Sequence, residues 1–117
     1  WTAEEVFQTV VLNEKTEENM HRLEGASPER EDIVIPYYPF VIGKHRDLAD
    51  YVLDCPAVSR LHLRIDREGE VYTVTDLNST NGTMVRGALL AANETAEVRS
   101  GDSVVIADAA YFIYNAF

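Results

Sequence analysis

A chain of 117 residues, 46% of them hydrophobic, is long enough for one domain with its own core. Its net charge of −10 repels nucleic acid in general, and the broad basic face that a double-stranded partner would need is not evident. No apolar run approaches a membrane span and no signal pattern opens the chain, so no membrane contact by this domain is expected. Cys55, the only cysteine, leaves no intrachain disulfide and fits a reducing, cytoplasmic setting. Trp1 in place of Met points to a piece of a longer protein.

Residues 1–19 read as an acidic lead-in or linker, with Glu4, Glu5, Glu14, Glu17 and Glu18 around an apolar patch at Val6, Phe7, Val10, Val11 and Leu12. Periodicity leaves that patch open between strand and helix. Residues 20–117 read as the folded domain. Met20–Leu23 is the first expected strand. Ile33–Ile35 and Phe40–Ile42 flank Pro36 and Pro39, the pattern of an interrupted edge strand. Tyr51–Leu53 is short, apolar and ended by Pro56. Leu61–Asp66 sets Leu61, Leu63 and Ile65 against His62, Arg64 and Asp66, and Arg67-Glu68-Gly69-Glu70 joins it to Val71–Thr75 as a hairpin. Thr83–Val85 and Ala88–Leu90 flank the turn Arg86-Gly87. Val104–Ile106 and Tyr111–Tyr114 follow Ser100-Gly101-Asp102. Many short strands, regular turn signals and no long amphipathic helix predict an all-β antiparallel sandwich.

The polar loops carry the chemistry. Asp76-Leu77-Asn78-Ser79-Thr80-Asn81-Gly82-Thr83 holds more hydroxyl and amide groups than a plain turn needs. Ala57-Val58-Ser59-Arg60 adds a hydroxyl and a guanidinium. Such side chains hydrogen-bond a peptide backbone or an oxyanion. Five of the seven bases beyond residue 32 fall between Lys44 and Arg67, so an acidic chain can still hold one localised anion. His45, Asp47 and Asp50 match no standard metal spacing. No triad, metal cluster or nucleotide-binding glycine loop suggests an enzyme, and no cofactor is expected.

Three segments together, Phe40-Val41-Ile42-Gly43-Lys44, Val58-Ser59-Arg60-Leu61-His62 and Asp76 to Thr83, resemble the signature of the forkhead-associated (FHA) domain of bacterial type. The resemblance runs from about Met20 to Tyr114. It implies an eleven-stranded FHA/SMAD-like sandwich with recognition loops at one end. It also implies a module that docks phosphothreonine-containing partners made by Ser/Thr kinases. Lys44 would be the phosphate-binding cation, a position where the family usually has Arg. Lys offers a point charge in place of a bidentate fork. Ser59, Arg60 and Thr80 would complete the phosphate site. Asn81 would hydrogen-bond the peptide backbone, with Arg46 and Ser79 also contacting peptide. Gly43, His62, Asp76 and Gly82 would support the loops, His62 as a brace and not a base. Arg86 stands where the family often has Asn. Competing readings stay open: Lys44 as a solvated residue, Ser59 as a turn residue, Asn81-Gly82 as a plain hairpin. The Lys44 departure also leaves open a module that binds protein, or itself, without phosphate. Some bacterial relatives carry a phosphorylatable Thr ahead of the domain, which makes Thr9 a candidate internal ligand. Against it stands the reading that Val10, Val11 and Leu12 pack on the sandwich or belong to a neighbouring domain.

Overall fold

The computed structural model describes residues 21–115, and the lead-in with Thr9, like Met20, lies outside them. Among the described residues there are eleven strands and no helix. They are β1 (His21–Gly25), β2 (Ile33–Ile35), β3 (Phe40–Gly43), β4 (Tyr51–Val52), β5 (Leu63–Glu68), β6 (Val71–Asp76), β7 (Thr83–Val85), β8 (Ala88–Leu89), β9 (Thr95–Val98), β10 (Ser103–Ile106) and β11 (Ala109–Asn115). One sheet has the order β2-β1-β11-β10-β7-β8, and the other β4-β3-β5-β6-β9. All pairs are antiparallel except β3 with β4.

Period-two alternation explains the packing. Leu23, Ile33, Ile35, Val104, Ile106, Tyr111 and Ile113 face inward from the first sheet, and Phe40, Ile42, Leu63, Ile65, Val74 and Val98 from the second. Each buried aliphatic side chain of this size contributes about 1.5–3 kcal/mol. The core therefore holds the sheets face to face, while the connections at one end are free to carry polar groups.

Three expectations need correction. Ile33–Ile35 and Phe40–Ile42 are not one interrupted edge strand. The first is the edge of the six-stranded sheet, whereas the second lies inside the other sheet between β4 and β5. The Pro36–Pro39 stretch carries the chain from one sheet to the other. β9 was not expected, because Thr95-Ala96-Glu97-Val98 shows only Val98 buried and weak alternation. It forms because β6 offers an open edge, with Tyr72 to Thr75 pairing Val98 to Thr95. Finally, the alternation of β5 does not extend back to His62. The strand begins at Leu63, and His62 is fully buried, not on the outer face with Arg64 and Asp66.

Candidate functional site

Three connections gather at one end of the sandwich: residues 44–50 after β3, 53–62 before β5, and 77–82 between β6 and β7. The last joins strands of different sheets, so Asn81-Gly82 is not a hairpin turn. Backbone bonds fix their spacing. Lys44 N–H donates to Ser59 C=O and His45 N–H to Arg60 C=O, each at 3.0 Å. These bonds demand close approach at Gly43, where a Cβ would lie 2.0 Å from the Arg60 carbonyl oxygen. Gly43→Ala is therefore expected to push β3 and the Ser59 loop apart. It should cost about 1–3 kcal/mol in denaturant unfolding, and an unchanged midpoint would contradict this contact.

His62 joins the two polar loops from beneath. Its Nδ1 accepts from the Ser59 N–H at 3.0 Å, and its Nε2 lies 2.8 Å from the Gly82 C=O. A ring nitrogen that accepts an N–H is unprotonated, so Nε2–H is the donor to Gly82. Both nitrogens are thereby occupied, which removes His62 as a general base. Ser59 and Thr80 add a second bridge, with the Thr80 N–H donating to Ser59 Oγ at 3.0 Å. The Ser59 hydroxyl keeps its own proton for a ligand. A third bridge runs from Asn81 Nδ2 to the Ala57 C=O at 2.7 Å. This uses one amide donor and leaves the Oδ1 acceptor for an incoming N–H.

Asp76 holds the second loop from inside. It is 2% exposed. Its Oδ1 accepts the hydroxyls of Ser79 and Thr83, and its Oδ2 accepts the Ser79 N–H. Both donors of Ser79 thus point at Asp76, the geometry of a brace and not of a peptide contact. Asn78 turns the chain at φ 59°, a left-handed conformation that Asn tolerates. The Asp76–Thr83 hydroxyl bond was not foreseen, since Thr83 reads only as the start of a strand.

The first loop is anchored separately. Asp50 accepts from the Val41 N–H at 2.7 Å and from the Tyr37 hydroxyl at 2.8 Å. That hydrogen bond raises the Tyr37 phenol above its ordinary value. His45 Nδ1 accepts the N–H groups of Asp47 and Leu48, each at 3.2 Å. His45 and Asp50 therefore shape this loop.

The charges follow a pattern. Arg22, Arg64, Arg86 and Arg99 pair with acids, Arg30 donates to Cys55 Sγ, and Arg67 donates to the Gly69 C=O and lies over the Tyr72 ring. Among the described residues, only Lys44, Arg46 and Arg60 are cations without a side-chain partner. All three lie on the connections at this end. Arg86 itself, at φ 51°, donates to the Glu97 C=O and Asp102, so the β7–β8 turn is held by a guanidinium.

A family model for the FHA domain matches residues 40–107 of the chain. The chain belongs to the FHA domain family. Members of this family are binding modules and not enzymes. The chain is 41% identical over 69 residues to the FHA domain-containing protein FhaA of Mycobacterium tuberculosis, covering 56% of this chain and 13% of that protein. It is 38% identical over 68 residues to the FHA domain-containing protein PS1 of Arabidopsis thaliana, covering 56% of this chain and 4% of that one. The chain thus spans a small part of the curated relatives it matches. A structure of Mycobacterium tuberculosis EmbR in complex with a low-affinity phosphopeptide superposes with a TM-score of 0.73 at 25% identity, covering 94% of this chain and 29% of that one. Among the described residues, no helix is long and apolar enough to cross a membrane.

Proposed function

We propose that residues 20–117 form a phosphothreonine-binding module that docks kinase-phosphorylated partners for a larger signalling protein. The observation that carries this reading is the gathering of three unpartnered cations beside a braced pair of polar loops. A phosphothreonine brings about −1.5 to −2 charges and three strong acceptor oxygens. Lys44 and Arg60 supply countercharge, and the Ser59 and Thr80 hydroxyls supply donors. Arg46 and the Asn81 Oδ1 would then meet the peptide. The phosphopeptide bound to EmbR supports the reading. The lone thiol of Cys55 is consistent with a cytoplasmic setting. A phosphate-independent interaction module would use the same end of the sandwich without the cations.

An oriented phosphopeptide library tests the proposal, and two variants divide the roles. Ser59→Ala should weaken capture of both phosphopeptides and inorganic phosphate, because it removes a phosphate donor and the acceptor of the Thr80 N–H. Asn81→Ala should weaken peptide binding about tenfold while leaving inorganic phosphate almost unaffected. Equal loss of inorganic phosphate in both variants, read by competition, would refute this division. At Lys44, arginine should keep or raise affinity through bidentate geometry, and alanine should lower it about tenfold. Unchanged titration of the alanine variant would shift the phosphate cation to Arg60.

A further inference from the structure

The two sheets present different outer faces. On the five-stranded sheet, the outward positions of β5, β6 and β9 include Arg64, Asp66, Thr73, Thr75, Thr95 and Glu97, a surface that is polar except for Val71 at the start of β6. On the six-stranded sheet, register aligns Ala110 with Val105, Val105 with Met84, and Met84 with Leu89. Directly paired residues point to the same side of a sheet. Their chain neighbours Ala109, Tyr111, Val104, Ile106 and Val85 are buried in the core, so this row faces outward. It is a continuous apolar strip across four strands, β11 to β8, with no ionisable side chain in it.

The strip meets the recognition end at Leu89. This side chain is 67% exposed, the highest value among the large hydrophobics of the described residues. Its Cδ1 lies 2.7 Å from where a Cβ on Gly82 would sit. Gly82 follows Asn81 and gives its carbonyl to His62. The apolar strip therefore begins one residue from the group assigned to the peptide backbone. A lone exposed leucine needs no explanation, but one that opens a row of apolar side chains beside a binding loop does.

We propose that Leu89, Met84 and Val105 form an apolar platform that receives an apolar stretch of the phosphorylated partner, on one flank of its phosphothreonine. This rests on reading the loop end as a phosphothreonine site. Three features favour the partner's own flank over other occupants. The platform is continuous with the loop that would hold the peptide. With strands about 4.8 Å apart, four strands span about 14 Å, the length of about four extended residues. A strip of that length and one side chain in width falls far below the roughly 800 Å² per partner of a stable protein–protein interface, so a second copy is a poor fit. A flank tethered to a bound phosphothreonine has an effective concentration in about the millimolar range, so a small apolar contact is enough to alter affinity. The phosphate would then provide the anchor, and the platform would select among phosphothreonine sites by what lies beside them.

The test is a library of peptides with one fixed phosphothreonine and about six randomised residues on either side, a reach of about 20 Å per flank. Wild-type protein should enrich Leu, Ile, Met or Phe on one flank. Met84→Lys and Val105→Lys should each abolish that enrichment. Each should also weaken the best wild-type peptide about tenfold, the worth of one well-buried aliphatic contact. Both should leave a truncated peptide, with only the immediate neighbours of the phosphothreonine, unchanged. Both substituted side chains face outward, on different strands, and thermal unfolding checks each fold independently. Absence of apolar enrichment, or enrichment that survives both variants, overturns the platform. Concentration-dependent dimerisation of the wild type that Val105→Lys abolishes also overturns it, by assigning the strip to a second copy. Failure of the underlying site looks different: the library would be captured no better than its unphosphorylated counterpart, and the platform assignment would fall with that reading.

Discussion

Alanine at position 62 is expected to destabilise the domain by about 2–5 kcal/mol and to remove phosphopeptide binding with it. The His62 ring is fully buried and bonds two loops that share no other ring contact. Truncation leaves the Ser59 N–H and the Gly82 C=O without partners, at about 1–3 kcal/mol for each group that water does not reach. It also leaves a ring-sized void, which adds a cavity cost unless the loops collapse into it. Collapse would displace Ser59 and Gly82, so the site is lost by either route. Glutamine, which offers one acceptor and one donor, should recover part of the stability. Urea unfolding followed by peptide titration checks both effects. A His62→Ala variant of wild-type stability and affinity would show that the loops hold their places without the imidazole.

Removing the phosphate from a cognate peptide should lower affinity by a factor of hundreds and bring binding below detection. Hydrogen bonds to charged groups contribute about 1.5–3 kcal/mol each, so two of them exceed a hundredfold. The sign depends on the protein's charge as well. With a net charge of −10 the molecule repels an anionic peptide at a distance, and among the described residues only Lys44, Arg46 and Arg60 are free to reverse this locally. Added salt screens both contributions, so the phosphate preference should shrink but persist as salt is raised. Isothermal titration with phosphorylated and unphosphorylated forms of one peptide decides the matter. Equal affinities would leave the phosphate-independent module as the reading of this fold.

The alternating strands were legible because half-buried β-structure writes its period into the chain, as in Leu63, Ile65 and their outward neighbours Arg64 and Asp66. The loop motifs were legible because Gly43, Ser59, His62, Asp76 and Asn81 stand at fixed places around them. What remained hidden was pairing between distant segments. Thr95–Val98 has little pattern of its own and becomes a strand only against β6. Ile33–Ile35 and Phe40–Gly43 look like one element because nothing local records that the chain changes sheets between them. The inward position of His62 and of both Ser79 donors is likewise a property of partners about twenty residues, or three, away. The apolar row at Leu89 had no signature at all, since each of its members comes from a different strand.

The loop end divides its labour by depth. His62, Asp76 and Thr83 lie below the surface and hold the loops in place, whereas Arg46, Arg60 and Thr80 stand exposed. Positions of the second kind can be exchanged without disturbing the first. Ligand preference can therefore drift, or be redirected by randomising residues 46, 60 and 80, on a scaffold whose folding is insured elsewhere. The buried polar layer beneath is also what makes the reverse experiment informative. A library that varied Asp76 and His62 in place of the exposed residues should yield few folded members, and fewer still that bind peptide.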